Sequence, residues 1–315
     1  MKGMAINMNS KKVNWFFLTV ILLHIGVVVG IFLYNINIGY LDIPIIPNLL
    51  LSQGIILIPA LLFVTFSKEK LNAILGFHKI KISSIFMIIL FTDLMMPLTT
   101  VINAISMLFV DNTVMQMSSS VLSMSMPVML LIMGVLGPIS EEIVFRGIVL
   151  NGYKRSGNAF RAILFSALLF GLMHMNFNQA AYAVFLGIVM AVLVEATGSL
   201  WSSAIFHMTV NLQNVLLMFV SDVLYTDEYM KEAQALTENT ENMLASIGIY
   251  SVIAAVTTPI AVCVLVWVAK NEEREMHLKQ IWTGRRENRG NMVTVPLLVA
   301  IVLAVAYMVL DVILY

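Results

Sequence analysis

The sequence predicts an all-α protein: a polytopic transmembrane helix bundle of about nine spans, with its N-terminus on the cytoplasmic side. Three observations carry this. Of 315 residues, 60% are hydrophobic and 11% charged, against roughly 45–50% and 25% in a soluble domain. The mean hydropathy is +0.92. Nine apolar stretches approach the ~20 residues that cross a bilayer. A soluble domain, a disordered chain and a nucleic-acid binder are thereby excluded. The 18 basic and 18 acidic residues balance, so bulk charge names no partner. The single cysteine, Cys263, rules out a disulfide framework and a thiolate zinc site.

The predicted spans run 14–34, 47–66, 83–109, 121–149, 160–175, 180–197, 199–221, 246–269 and 292–314. The first is read as a retained span. Its apolar run exceeds the ~7–15 residues of a signal peptide, and Gly30–Tyr34 offers no small-residue cleavage site. The fourth is long and carries Pro127 and Pro138, each expected to kink it because proline donates no backbone hydrogen bond. The fifth is at the short limit for a span.

Lysine and arginine set the orientation. With the N-terminus inside, the cytoplasmic connections hold Lys68, Lys70, Lys79 and Lys81, then Lys154, Arg155 and Arg161, then Lys270 through Arg289. Every basic residue but Arg146 and Lys231 falls on that side. The organisation expected is N-terminal transmembrane helices over 1–120, a core over 121–222, an acidic outer loop over 223–245 and C-terminal transmembrane helices over 246–315. The charged segment 270–290 reads as a solvated cytoplasmic linker.

Ionisable groups inside spans are costly, ~2.5–3.5 kcal/mol each even on lenient insertion scales, and mark function by default. His24, Asp93, Glu141, Glu142, Arg146, His174, Glu195, His207 and Asp311 are the candidates. Six of these nine fall between 141 and 207. His24, Glu195 and Asp311 read as structural, and Asp93 as a supporting or packing group.

Glu142 and Arg146 are i, i+4 on one helical face and can neutralise each other. Glu141 points ~100° away, and its own i+4 neighbour is Phe145. A carboxylate without a local cation in an apolar, half-wet cavity suits a general base. Phe170 and His174 share a face of the fifth span, where Gly171 would let a neighbouring helix approach closely. His207 and Asn211 are again i, i+4, and Asn214 extends their polar stripe.

A carboxylate with a histidine can activate water. A histidine with a carboxamide can donate to a developing oxyanion. That combination hydrolyses an amide without a covalent nucleophile. The same side chains, Glu141, His174 and His207 above all, are also plausible ligands for a divalent metal such as zinc. Residues and spacing leave both versions open. Helix depth, counted from the span ends, places Glu141 and His207 ~12 Å from the cytoplasmic end and His174 ~20 Å in. A site opening toward the cytoplasm is the expectation.

Glu141-Glu142-x-x-x-Arg146, then Phe170-x-x-x-His174, then His207-x-x-x-Asn211 resembles the three-motif signature of the CPBP family. That family holds the type II CAAX prenyl proteases and bacterial relatives in bacteriocin processing and self-immunity. The resemblance covers about residues 121–222. It implies a glutamate-type intramembrane endopeptidase in which Glu141 and His174 activate water. His207 and Asn211 would stabilise the oxyanion, and Glu142, Arg146 and Phe170 would support the site. It implies no required cofactor, although the family was first described as metal-dependent. The substrate implied is a hydrophobic or lipidated peptide of CAAX, leader or bacteriocin type. Membrane lipid is the other partner, and the location is a bacterial cytoplasmic membrane. A non-catalytic peptide-immunity protein and a proton-coupled carrier are the competing readings.

Overall fold

The computed structural model describes residues 9–67, 74–112, 118–224, 239–286 and 290–314. Within them the chain is helical: α1 Ser10–Asn37, α2 Ile45–Ser67, α3 Ile82–Met107, α4 Met126–Ser156, α5 Ala159–Met173, α6 Phe177–Thr197, α7 Leu200–Leu224, α8 Thr240–Asn271, α9 Glu275–Thr283 and α10 Val295–Leu314. Eight of the described helices are long and apolar enough to cross a membrane, and α5 is a shorter apolar helix. The polytopic all-helical bundle expected from the sequence is the fold found. The acidic loop 223–245 lies largely outside the described residues.

Local sequence sets the helix ends. Asn9, Asn158, Asn176 and Asn239 each accept a hydrogen bond from a first-turn backbone N–H, at 2.8–3.1 Å, at the starts of α1, α5, α6 and α8. Gly198 ends α6 at φ 72°, a left-handed cap that costs glycine little. Exposed apolar side chains such as Phe32, Leu61, Phe86 and Val252 cover the outside of the bundle, as a lipid-facing surface requires.

The basic segments meet at one end. Ser10 N–H donates to Ser156 Oγ at 2.7 Å, and Arg161 donates to the Gly290 carbonyl at 3.0 Å. Lys81 N–H donates to Glu272 Oε1 at 3.0 Å, and Leu200 N–H to the Gly76 carbonyl at 3.1 Å. Lys154 pairs with Glu195, whose carbonyl accepts from Arg274 at 3.1 Å. Among the described residues, every Lys and Arg except Arg146 lies in these segments.

One expectation is corrected here, and one segment gains detail. The fourth span starts at Met126, after a separate short helix Ser118–Leu122. Pro127 therefore sits in its first turn and kinks nothing. The 270–290 segment is helical in part. It folds α9, stacks Trp282 on Phe160 at 5.8 Å and lays Arg285 over Trp282 at 3.9 Å. Leu278, Ile281 and Trp282 share one face at i, i+3 and i+4 among polar and charged residues, which suits a helix lying along the membrane surface.

α4 departs from regular geometry. It is π-helical over Leu130–Leu136, α-helical over Gly137–Glu142 and π-helical again over Ile143–Leu150. Such wide turns concentrate at functional sites. The Gly137 N–H reaches the Ile132 carbonyl, five residues back. In that register residue 138 should serve Met133, and Pro138 has no N–H to give.

Candidate active site

One cavity of about 300 Å³ is lined by Glu141, His174, His207 and Asn211, carried on α4, the end of α5 and α7. The four candidate catalytic side chains are therefore neighbours of one space. Beneath it lies the ion pair read from the sequence: Arg146 donates to Glu142 Oε1 at 3.0 Å, with both side chains wholly buried. A buried pair needs further hydrogen bonds to offset its desolvation. Arg146 also donates to the Gly187 carbonyl at 3.2 Å and lies 4.5 Å from the centre of the Phe170 ring.

His207 joins this pair to the cavity. Its Nδ1 is 3.0 Å from Glu142 Oε1, and its Nε2 is 3.8 Å from Glu141 Oε2. Glu142 Oε1 already accepts from Arg146, so Nδ1 is read as a second donor to it, and Nε2 faces Glu141. The two adjacent glutamates thus bracket one imidazole from opposite ring nitrogens. The sequence reading gave Glu141 no local cation and paired it with His174, and it did not anticipate the approach of His207 to both glutamates.

His174 Nδ1 is 2.8 Å from the Phe170 carbonyl. A carbonyl only accepts, so Nδ1 carries the proton and Nε2 keeps a lone pair. Phe170 is the wall between these groups. Its ring is edge-on to His174 at 5.0 Å, to His207 at 5.8 Å and to Phe145 at 5.1 Å. The second-motif phenylalanine therefore orients both histidines and covers the arginine.

Asn211 Nδ2 donates to the Met133 carbonyl at 3.0 Å. That is the acceptor Pro138 leaves without a backbone donor. One amide hydrogen is committed to α4, and the second remains for a ligand.

Gly171 has the close-packing role expected of it. A Cβ there would lie 2.4 Å from Val184 Cγ2 and 2.9 Å from the Ala180 carbonyl. Gly187 on α6 matches it, since a Cβ there would lie 2.9 Å from Ala167 Cα. α5 and α6 consequently pack backbone to backbone. Their connection turns through Met175 at φ 53°, which holds His174 at the head of the hairpin.

The depth mismatch between Glu141 and His174 disappears. It arose from ending the fourth span at 149. α4 continues to Ser156, so Glu141 lies 15 residues, roughly 22 Å, from its basic end. His174 is likewise 15 residues from Ala159, roughly 22 Å along α5.

The cavity runs away from the basic end of the bundle. Its lining continues through Met133, Gln179 and Met218, all on the far side of the motif residues from the basic end. On the basic side, Val144, Phe145, Ile148, Val149 and Leu150 are at most 1% exposed and fill the space.

Some lining residues were missed. Gln53 on α2 and Gln179 and Tyr182 on α6 face the cavity. Reading only ionisable groups passed over them, although polar side chains inside apolar spans were the available signal. Asp93, exposed, accepts from Gln213 at 2.6 Å and is not among the cavity residues. His24 stacks edge-on with Tyr307 at 5.6 Å. Among the described residues, no three His, Cys, Asp or Glu side chains converge as a metal ion requires. The alternative ligand set Glu141, His174 and His207 does not form such a group.

Residues 123–213 match the family model of the type II CAAX prenyl endopeptidase Rce1-like proteins. The chain is also 26% identical over 112 residues to a Bacillus subtilis (strain 168) protein named "Putative membrane peptidase YdiL". That match covers 36% of this chain and 46% of the relative, so it spans about half of the relative's length. No solved structure matches the chain. The resemblance to the CPBP, Rce1-like family read from three short motifs is thus shown over residues 123–213, a segment that holds every candidate catalytic residue.

Proposed function

We propose that the protein is an intramembrane endopeptidase of an integral, multi-pass bacterial-type membrane, acting on a hydrophobic or lipidated peptide. The observation that carries the reading is the convergence of Glu141, His174, His207 and Asn211 on one cavity. The Rce1-like match over the same residues and the peptidase name of the Bacillus relative support it.

In this mechanism Glu141, with His174 Nε2 as second acceptor, takes a proton from water. The water oxygen attacks the scissile carbonyl carbon. The oxygen of that carbonyl gains the negative charge and accepts from the free Asn211 amide hydrogen and from Nε2–H of His207 acting as the imidazolium, whose Nδ1–H stays donated to Glu142. The C–N bond then breaks, and the proton held by Glu141 passes to the leaving amine. Glu142 and Arg146 are positioning residues that hold the His207 ring through Nδ1. No metal or other cofactor takes part in this scheme.

The test is cleavage of a pool of prenylated and unprenylated apolar peptides by purified protein in detergent, with and without a strong chelator, beside Glu141→Gln. The reading expects cleavage that survives chelation and falls by roughly 10²–10⁴ in the variant, the usual loss on removing a general base. Full cleavage by Glu141→Gln overturns it. Cleavage lost on chelation and restored by zinc would replace water activation by Glu141 with metal chemistry.

A further inference from the structure

The catalytic cavity is closed on one side of the membrane and open on the other. From Glu142 toward the basic end, packing is complete: Leu200, Ser203 and Ala204 on α7 and Ile148, Val149 and Leu150 on α4 are at most 1% exposed. In the opposite direction, exposure rises along the polar stripe of α7. His207 is 7% exposed, Asn211 is half-buried and Asn214 is exposed. The outermost lining, Leu49, Met133, Gln179 and Met218, comes from four helices at that far end. A second groove of about 500 Å³, lined by Ile102, Ile105, Phe109 and Phe177, opens at the same end.

Sidedness follows from charge. Lys11, Lys12, Lys79, Lys81, Lys154, Arg155, Arg161, Lys270 and Arg274 lie in the segments that meet at the sealed end. At the open end the described charged residues include Asp42, Asp111, Asp222 and Glu241, and no Lys or Arg. Short basic connections stay in the cytoplasm. The sealed end is the cytoplasmic one.

We infer that the cavity is loaded from the non-cytoplasmic side of the membrane. Its substrate class is then an apolar polypeptide segment presented in the outer half of the bilayer, and not the cytoplasmic C-terminus of a prenylated protein. The substrate class rests on the peptidase reading, whereas the direction of access rests on packing and charge alone. Gln53 shows what such a ligand could satisfy. Its amide carries no hydrogen bond among the described residues, and its Oε1 is buried. A backbone N–H of an extended peptide is a donor of the right kind for it.

The test uses single cysteines in a Cys263→Ser background and a sulfonated, membrane-impermeant maleimide. Gln179→Cys and Met218→Cys report the cavity, Asp42→Cys the open end and His277→Cys the basic end. The first three should label in right-side-out vesicles without permeabilisation, and His277→Cys only in inverted ones. Two cavity positions keep the test sound if one substitution prevents insertion. Cavity cysteines that follow His277→Cys, or that stay unlabelled from both sides while Asp42→Cys labels, overturn the inference. So does labelling of Asp42→Cys only in inverted vesicles. The readout needs no catalysis, so its failure is distinct from failure of the peptidase reading.

Discussion

The halves of the bundle on either side of Glu142 are built on opposite principles. The basic-side half is filled with apolar side chains, holds its one buried ion pair at its inner face and carries its other charges at the rim. The far half leaves about 300 Å³ unfilled and lines it with Glu141, two histidines, asparagines and glutamines. One half is closely packed, and the other holds the candidate catalytic side chains. Two adjacent residues straddle the boundary, so Glu142 is spent on structure while Glu141 stays available.

The largest effect should come from breaking the structural half. Arg146→Ala strands Glu142 without its cation and should cost about 3–5 kcal/mol, read as lost yield and thermal stability in detergent. Glu141→Gln should leave both unchanged. Equal stability losses would erase the division between the two glutamates.

Next is the α5–α6 contact that holds His174. Gly171→Ala puts a methyl against Ala180 and Val184 and should cost about 1–3 kcal/mol as overpacking. Because His174 is three residues on, cleavage should fall more than the melting temperature suggests. An unaffected melting temperature would contradict the close packing.

Asn211 sharpens the comparison because it serves both halves. Asn211→Ala leaves the Met133 carbonyl unpaired, at about 1–3 kcal/mol. Adding Pro138→Ala returns a backbone N–H to that carbonyl and should recover part of the stability. It should recover none of the cleavage. Recovery of both would make Asn211 purely structural.

The smallest effect lies at the membrane surface. Lys279, 2.8 Å from Glu275, holds that exposed carboxyl below its ordinary value on α9. The pair therefore contributes above the unfolded value of Glu275 and is lost as pH falls through the lower folded one. Trp282 fluorescence should show a slight acid loosening of α9 that Lys279→Met removes.

The helices were legible because lipid imposes apolar runs of fixed length. Glu142 and Arg146 were legible because i, i+4 spacing on a helix is geometry. Three features were not. The π-turns of α4 depend on where Pro138 falls in a register that only the folded chain defines. The depth of Glu141 was misjudged because Asn151–Ser156 is polar yet continues the helix. The contact of His207 with both glutamates joins residues 65 or more positions apart, which spacing along one helix cannot reveal.

The most direct test of the central claim, that three helices build one hydrolytic centre, is a double-variant cycle on kcat/KM. Glu141→Gln, His174→Ala and the combined variant are compared on one cleaved peptide. Groups acting as a unit are strongly non-additive. The account predicts that the double variant loses no more than the worse single one. Losses that multiply would show two independent contributions, and the single-centre account would be wrong.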